Sequence, residues 1–127
     1  MSEKNVEIVR QSFEAFQRLD LDGFTQRWHP EVRWDVTHLD GWPGDRTEYT
    51  GTADVLNGFA GYLAGARGLE VSDLEVTKID DTRVLGLHLE RRDRTKTIEI
   101  GVIYELHDAK VTRVDVFTGH ANARAAV

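Results

Sequence analysis

The sequence predicts an α+β fold in which a curved antiparallel sheet wraps around three helices from the N-terminal half of the chain. Three observations carry this. Residues 84–90, 96–106 and 111–117 are strand-like runs; in the middle one Ile98, Ile100, Val102, Tyr104 and Leu106 fall on every second position, as they do when one strand face is buried. Short turns at 92–95 and 107–110 separate the runs, which makes them an antiparallel meander. Apart from a short tail at 119–126, the helical runs lie in the N-terminal half of the chain, and helices segregated to one side of such a sheet define the α+β class.

The first helix is expected from Asn5, with Val6, Val9, Phe13 and Phe16 at three- and four-residue spacing, a single amphipathic stripe. Asp20 should cap a second, shorter helix running through Trp28, ended by Pro30 because the residue before a proline is pushed out of the helical region. Val32, Trp34 and Val36 then alternate with Glu31, Arg33 and Asp35, a strand with one buried face. Residues 40–50 carry Gly41, Pro43, Gly44 and Asp45 and read as a loop, although they also hold Trp42 and Tyr49. Thr52 should cap a third helix with Val55, Phe59 and Leu63 on one line. Gly58, Gly61 and Gly65 weaken that helix, so another backbone is expected close by. In residues 69–79, Val71 and Leu74 break the alternation, a sign of a bulge or bend. Asp80 and Asp81 turn into the meander, and residues 119–126 form a short helical tail.

By alternation, Leu85, Leu87, Leu89, Ile98, Ile100, Val102, Tyr104, Val114 and Val116 make one inner face. It offers one hydroxyl and no carboxylate. Thr118 and Arg91 continue inward faces, whereas His88 and Asp115 fall on the opposite, convex side.

With 127 residues, 40% hydrophobic and 30% charged, the chain is a single domain, residues 1–127, large enough to bury a core. It contains no cysteine, so disulfides and thiolate metal sites are excluded. A net charge of −6 disfavours nucleic acid, whose binding depends on neutralising phosphates. The basic cluster of Arg91, Arg92, Arg94 and Lys96 reads as a solvated turn. No apolar run approaches the roughly 20 residues of a membrane helix, and the N-terminal residues lack a signal layout. The expected location is cytoplasmic, with no nucleic-acid or membrane partner.

The run FEAFQRLDLDGFTQRWHPEVRWD, the GWP…YTG loop and HDAKVTRVDVF resemble the SnoaL-like branch of the NTF2-like superfamily. That resemblance implies a conical α+β barrel, a homodimer, and a hydrophobic cavity between sheet and helices. Ile103, apolar on the convex face amid Glu99, Glu105 and Asp115, fits a pairing surface. Ketosteroid isomerases of this fold use an Asp base with Tyr and Asp oxyanion donors. Those positions fall here at Val36, Ser12 and Val102, so none matches. The acidic base of SnoaL-type cyclases falls near Gly119, followed by His120. An epoxide-hydrolase-like Asp-Arg-Asp set has no equivalent.

Candidate catalytic residues are therefore His38, at the cavity mouth if it continues the Trp34 face, Tyr104 on the inner face, and His120 in the tail. Imidazole titrates near neutrality and suits acid–base work; a buried tyrosine hydroxyl needs a partner. Candidate ligand-binding residues are Trp28, Trp34, Val36, Trp42, Phe59, Leu87, Val102 and Val116. The five histidines show no metal-ligand spacing, so no metal and no cofactor are expected. The leading expectation is a protein that binds a small hydrophobic molecule. The alternatives are a cofactor-independent acid–base enzyme of isomerase, cyclase or dehydratase type, and a dimeric scaffold with a filled core.

Overall fold

The computed structural model describes residues 2–42, 46–65, 69–92 and 96–127. Pro43, Gly44 and Asp45 of the expected loop, and residues 93–95 of the expected turn with Arg94 of the basic cluster, lie outside the described residues. In chain order the elements are α1 (Ser2–Gln17), α2 (Leu21–Thr25), β1 (Trp28–His38), β2 (Glu48–Thr50), α3 (Thr52–Gly65), β3 (Glu70–Lys78), β4 (Arg83–Arg92), β5 (Lys96–His107), β6 (Lys110–Thr118) and α4 (His120–Ala125). The strands form one sheet in the order β2-β1-β6-β5-β4-β3. Its neighbours are antiparallel except β1 and β6, which run parallel. The sheet curves around the helices without closing, with β2 and β3 as its edges. Among the described residues no helix is long and apolar enough to cross a membrane.

Several local expectations change. Asn5 lies inside α1, its side-chain amide donating to the carbonyl of Asp81 at 3.1 Å. Asp20 caps α2 as expected, accepting from the Gly23 N–H at 3.1 Å. Trp28, however, opens β1 instead of closing α2. Pro30 then sits inside that strand, where the β1–β6 register shifts between Trp28 and Arg33; such an irregularity is where a residue without an N–H can be accommodated. Residues 48–50 are a strand: Tyr49 pairs with Trp34 and is buried. The break in alternation at Val71 and Leu74 corresponds to a register shift between Ser72 and Glu75, with Asp73 at φ 54°.

The main core joins Val9, Phe13 and Phe16 of α1, Phe24 of α2 and Phe59 of α3 to Trp34, Val102, Tyr104 and Val114 of the sheet. Gly58 admits the Tyr49 ring, which a Cβ there would meet at 2.7 Å; the close neighbour is a side chain, not a second backbone. Gly61 has nothing within 4 Å of such a Cβ.

The strand that matters most for the site is β4, and its facing is the reverse of the expected one. His88 pairs with Ile100, Glu90 with Ile98, Gly86 with Val102 and Val84 with Tyr104. Directly paired residues share a face, so His88 and Glu90 point inward with Ile100, Val102 and Tyr104. Leu85, Leu87, Leu89 and Arg91 point to the back. There Leu85 and Leu87 join Ile103, Phe117 and Ala123 in a second cluster, covered by α4. The helix docks closely because a Cβ on Gly101 would stand 2.3 Å from that of Ala123. Ile103, on which the expected pairing surface rests, is buried under this cover.

Candidate functional site

Between the helices and the inner face of the sheet lies a cavity of about 40 Å³. Phe13, Phe16, Phe24, Trp34, Phe59 and Tyr104 wall it with aromatic rings, and Tyr62, His88 and Glu90 bring polar groups to it. At roughly 10–15 Å³ per water it holds about three waters. In this conformation it admits a molecule of only a few non-hydrogen atoms, and a steroid-sized ligand needs the aromatic side chains to turn aside.

His88 and Glu90 are 2% and 4% exposed. The imidazole Nε2 lies 2.8 Å from Oε2 of Glu90, and the Tyr62 hydroxyl donates to Oε1 of the same carboxyl. Two elements place this chain of groups: alternation on β4 brings His88 and Glu90 to one face, and α3 lowers Tyr62 from above. The Phe13 ring meets His88 edge-on at 4.9 Å, and Phe16 does so at 6.2 Å. His88 Nδ1 is buried without a hydrogen-bond partner. Replacing a buried polar pair, charged or not, by well-packed apolar residues of the same size is often neutral or stabilising. Folding alone therefore does not account for the pair. Buried titratable groups with a specific partner, inside an otherwise apolar cavity, make a candidate functional site.

Of the residues expected from the sequence, Trp34, Phe59, Val102, Val116 and Tyr104 line the cavity. Burial raises the Tyr104 hydroxyl above its usual range, so it stays protonated. Along β4, Glu90 lies six positions beyond Val84, the partner of Tyr104, about 20 Å of strand at roughly 3.3 Å per residue. Tyr104 thus sits at the far end of the cavity from Glu90, with Phe13 between it and His88. Trp28, Val36 and Trp42 belong to the surrounding core. Trp42 stacks on Tyr62 at 5.3 Å and donates its indole N–H to the Tyr49 hydroxyl at 3.0 Å.

Three expected residues lie elsewhere. Leu87 is on the back of the sheet, because the β4–β5 register places it opposite Gly101. His38 is exposed and stacks on Phe117 at 5.0 Å. A register shift between Asp35 and His38 turns it away, and Leu39 takes the inward position and lines the cavity. His120 begins α4 behind the sheet; its Nε2–H donates to the backbone carbonyl of His88 at 2.9 Å, and its backbone N–H donates to Glu99 at 3.1 Å. Among the described residues no group of three His, Cys, Asp or Glu side chains is arranged to hold a metal.

A family model described as a SnoaL-like domain matches residues 9–114. No curated protein matches the sequence. Among solved structures, TerC co-crystallised with polyporic acid is 20% identical, with 96% of each chain covered and a TM-score of 0.78. Bal32a, from a soil-derived mobile gene cassette, is 23% identical over 97% of this chain and 95% of its own, with a TM-score of 0.78. A protein named as a ketosteroid isomerase from Kribbella flavida is 17% identical over 94% and 80%, with a TM-score of 0.75. At these identities the likeness is one of fold.

Proposed function

We propose that this chain, which belongs to the SnoaL-like domain family, binds a small, largely apolar molecule in its inner cavity and carries out acid–base chemistry on it. The observation that carries this is the buried Tyr62–Glu90–His88 chain of groups in an aromatic cavity. Proton transfer needs a group whose protonation can change, held within reach of a substrate and screened from water. An imidazole paired with a carboxylate meets both needs. The ligand class follows from the lining: aromatic and aliphatic walls for an apolar body, polar groups near Glu90 for one polar end. Names among the structural relatives, such as polyketide cyclase and ketosteroid isomerase, are in keeping with acid–base chemistry.

The test replaces the pair by apolar residues of similar volume, His88→Leu with Glu90→Leu. That exchange should hold or raise the melting temperature, while turnover of a panel of small ketones, diketones and cyclic enones disappears. A wild-type protein inert towards the whole panel, or a double variant as active as wild type, would sink this reading. Tryptophan fluorescence reports binding separately, because Trp34 lines the cavity.

A further inference from the structure

We infer that Tyr62 is a movable plug: its ring fills the place of the ligand, against Trp42 and with its hydroxyl on Glu90, and it leaves with the second half of α3. The molecule that takes its place is a flat ring bearing one O–H or N–H donor. This rests on the ligand-binding half of the reading above and names the gate, the stacking platform and the ligand class.

A cavity of about 40 Å³ admits a ring only if one wall gives way, and the walls are not equally held. The Phe13 ring is seated in the notch left by Gly86. Phe16 stacks on Phe24 at 5.1 Å. Trp34 belongs to a strand paired on both sides, with Tyr49 and Val114 as its neighbours. Tyr62 stands on a helix of different build. The start of α3 is pinned: Asp54 accepts from the Thr50 N–H at 3.1 Å and from Arg46, and the Gly51 N–H donates to the Val32 carbonyl at 2.8 Å. Further along, Gly58 and Gly61 weaken the helix, because glycine gives up more backbone freedom on folding than any other residue. Ala60 and Gly61 face solvent, and a Cβ on Gly61 would meet nothing within 4 Å. Local opening draws on segments of this kind.

Tyr62 already has the contacts of a bound phenol. Its ring stacks on the half-buried Trp42 at 5.3 Å and 17° and packs against Phe59 at 5.6 Å. Its hydroxyl donates to Oε1 of Glu90. A ligand that displaces the side chain inherits these partners, and they set its chemistry. The slot along the Trp42 face takes a flat ring. Oε1 loses a donor when Tyr62 leaves, and a buried acceptor deprived of its donor is costly, so the ligand brings an O–H or N–H of its own. The adjoining cavity leaves room for a substituent of a few non-hydrogen atoms.

The test uses 4-methylphenol, which reproduces the tyrosine side chain, and 4-methylanisole, its methyl ether without a donor. Binding is followed by proton NMR for wild type, Tyr62→Ala and Gly61→Ala. In wild type, 4-methylphenol should bind, and Overhauser contacts between Tyr62 and Trp42 should give way to contacts between the ligand and Trp42. The ether should bind about ten- to hundredfold more weakly. Tyr62→Ala leaves the slot open and should bind 4-methylphenol more tightly than wild type does. Gly61→Ala stiffens α3 at a position outside the cavity lining and should slow association by about two- to fivefold. The plug is overturned by a ligand bound with the Tyr62–Trp42 contacts intact, by equal affinity for the two probes, by binding to Tyr62→Ala alone, or by unchanged association in Gly61→Ala. Each of these leaves a small molecule in the inner cavity as a separate question. Neither probe binding to wild type or to Tyr62→Ala overturns the plug and the ligand-binding reading together. Amide hydrogen exchange of wild type needs no variant that has to fold: residues 59–63 should exchange faster than residues 8–16 of α1, and equal protection overturns the movable half of α3.

Discussion

Phe13 of α1 lies so close to Gly86 of β4 that a Cβ on the glycine would stand 2.5 Å from its ring edge. The missing side chain lets the ring reach the strand between His88 and Tyr104. Gly86→Ala should therefore overpack the cavity wall and cost about 1–3 kcal/mol, read as a lowered midpoint in urea. Adding Phe13→Leu should recover part of the loss. Independent, additive losses would show that the two positions do not press on each other.

A similar close approach holds the tail. Gly101→Ala should lift α4 from the back of the sheet, because the new methyl would overlap that of Ala123. Amide hydrogen exchange in residues 120–125 should accelerate, and Ala123→Gly in the same chain should slow it again. Unchanged protection in Gly101→Ala would mean that α4 is not held by this contact.

The hairpin between β5 and β6 turns through Asp108 and Ala109, at φ 53° and 62°. Two successive positive φ values match the primed turns that favour glycine at the second place, and an alanine there is strained by roughly 1–2 kcal/mol. Ala109→Gly should stabilise the protein, by up to about 1 kcal/mol after the added freedom of the unfolded chain is subtracted. A lower melting temperature would contradict this.

Asp80 gives acid sensitivity of known sign. The Thr82 backbone N–H, then the Arg83 side chain, hold its carboxyl below the usual value of 3.8. The folded state keeps this carboxylate charged at a pH where the unfolded chain takes up the proton. Its stabilising contribution is thus complete above the unfolded value and is lost as pH falls through the folded one. Asp80→Asn should lower stability at neutral pH and flatten its decline below about pH 4. Denaturation midpoints at pH 7 and pH 3 that shift equally would argue against it.

Element order, the β3 bulge and the inward set of Trp34, Phe59, Val102, Tyr104 and Val116 were legible because each depends on local spacing or on one well-patterned strand. The centre of the candidate site was not. On β4 the leucines at 85, 87 and 89 form the more apolar row, and alternation by itself assigns that row to the core. A four-residue turn at 92–95 would indeed pair Leu87 with Ile100. The structure pairs Arg92 with Lys96, one residue different, and that step exchanges the two faces. The signal that could have found it lay in the glycines: Gly86 inside, where Phe13 needs room, and Gly101 behind, where Ala123 does. His38 was lost in the same way, to an irregularity in β1 that periodicity cannot see. Tyr49 was hidden because three residues of edge strand are too few to alternate.

The pairing of Arg92 with Lys96 has a consequence at the level of codons. Losing one triplet in the connection that follows β4, with β5 held in place, would move β4 by one residue and exchange its rows. An imidazole and a carboxylate would leave the interior, and leucines would enter, in a chain whose composition had scarcely changed. Two descendants of such a gene could share nearly every residue and the same outline, yet one would hold the groups of the proposed acid–base site and the other a plain greasy wall.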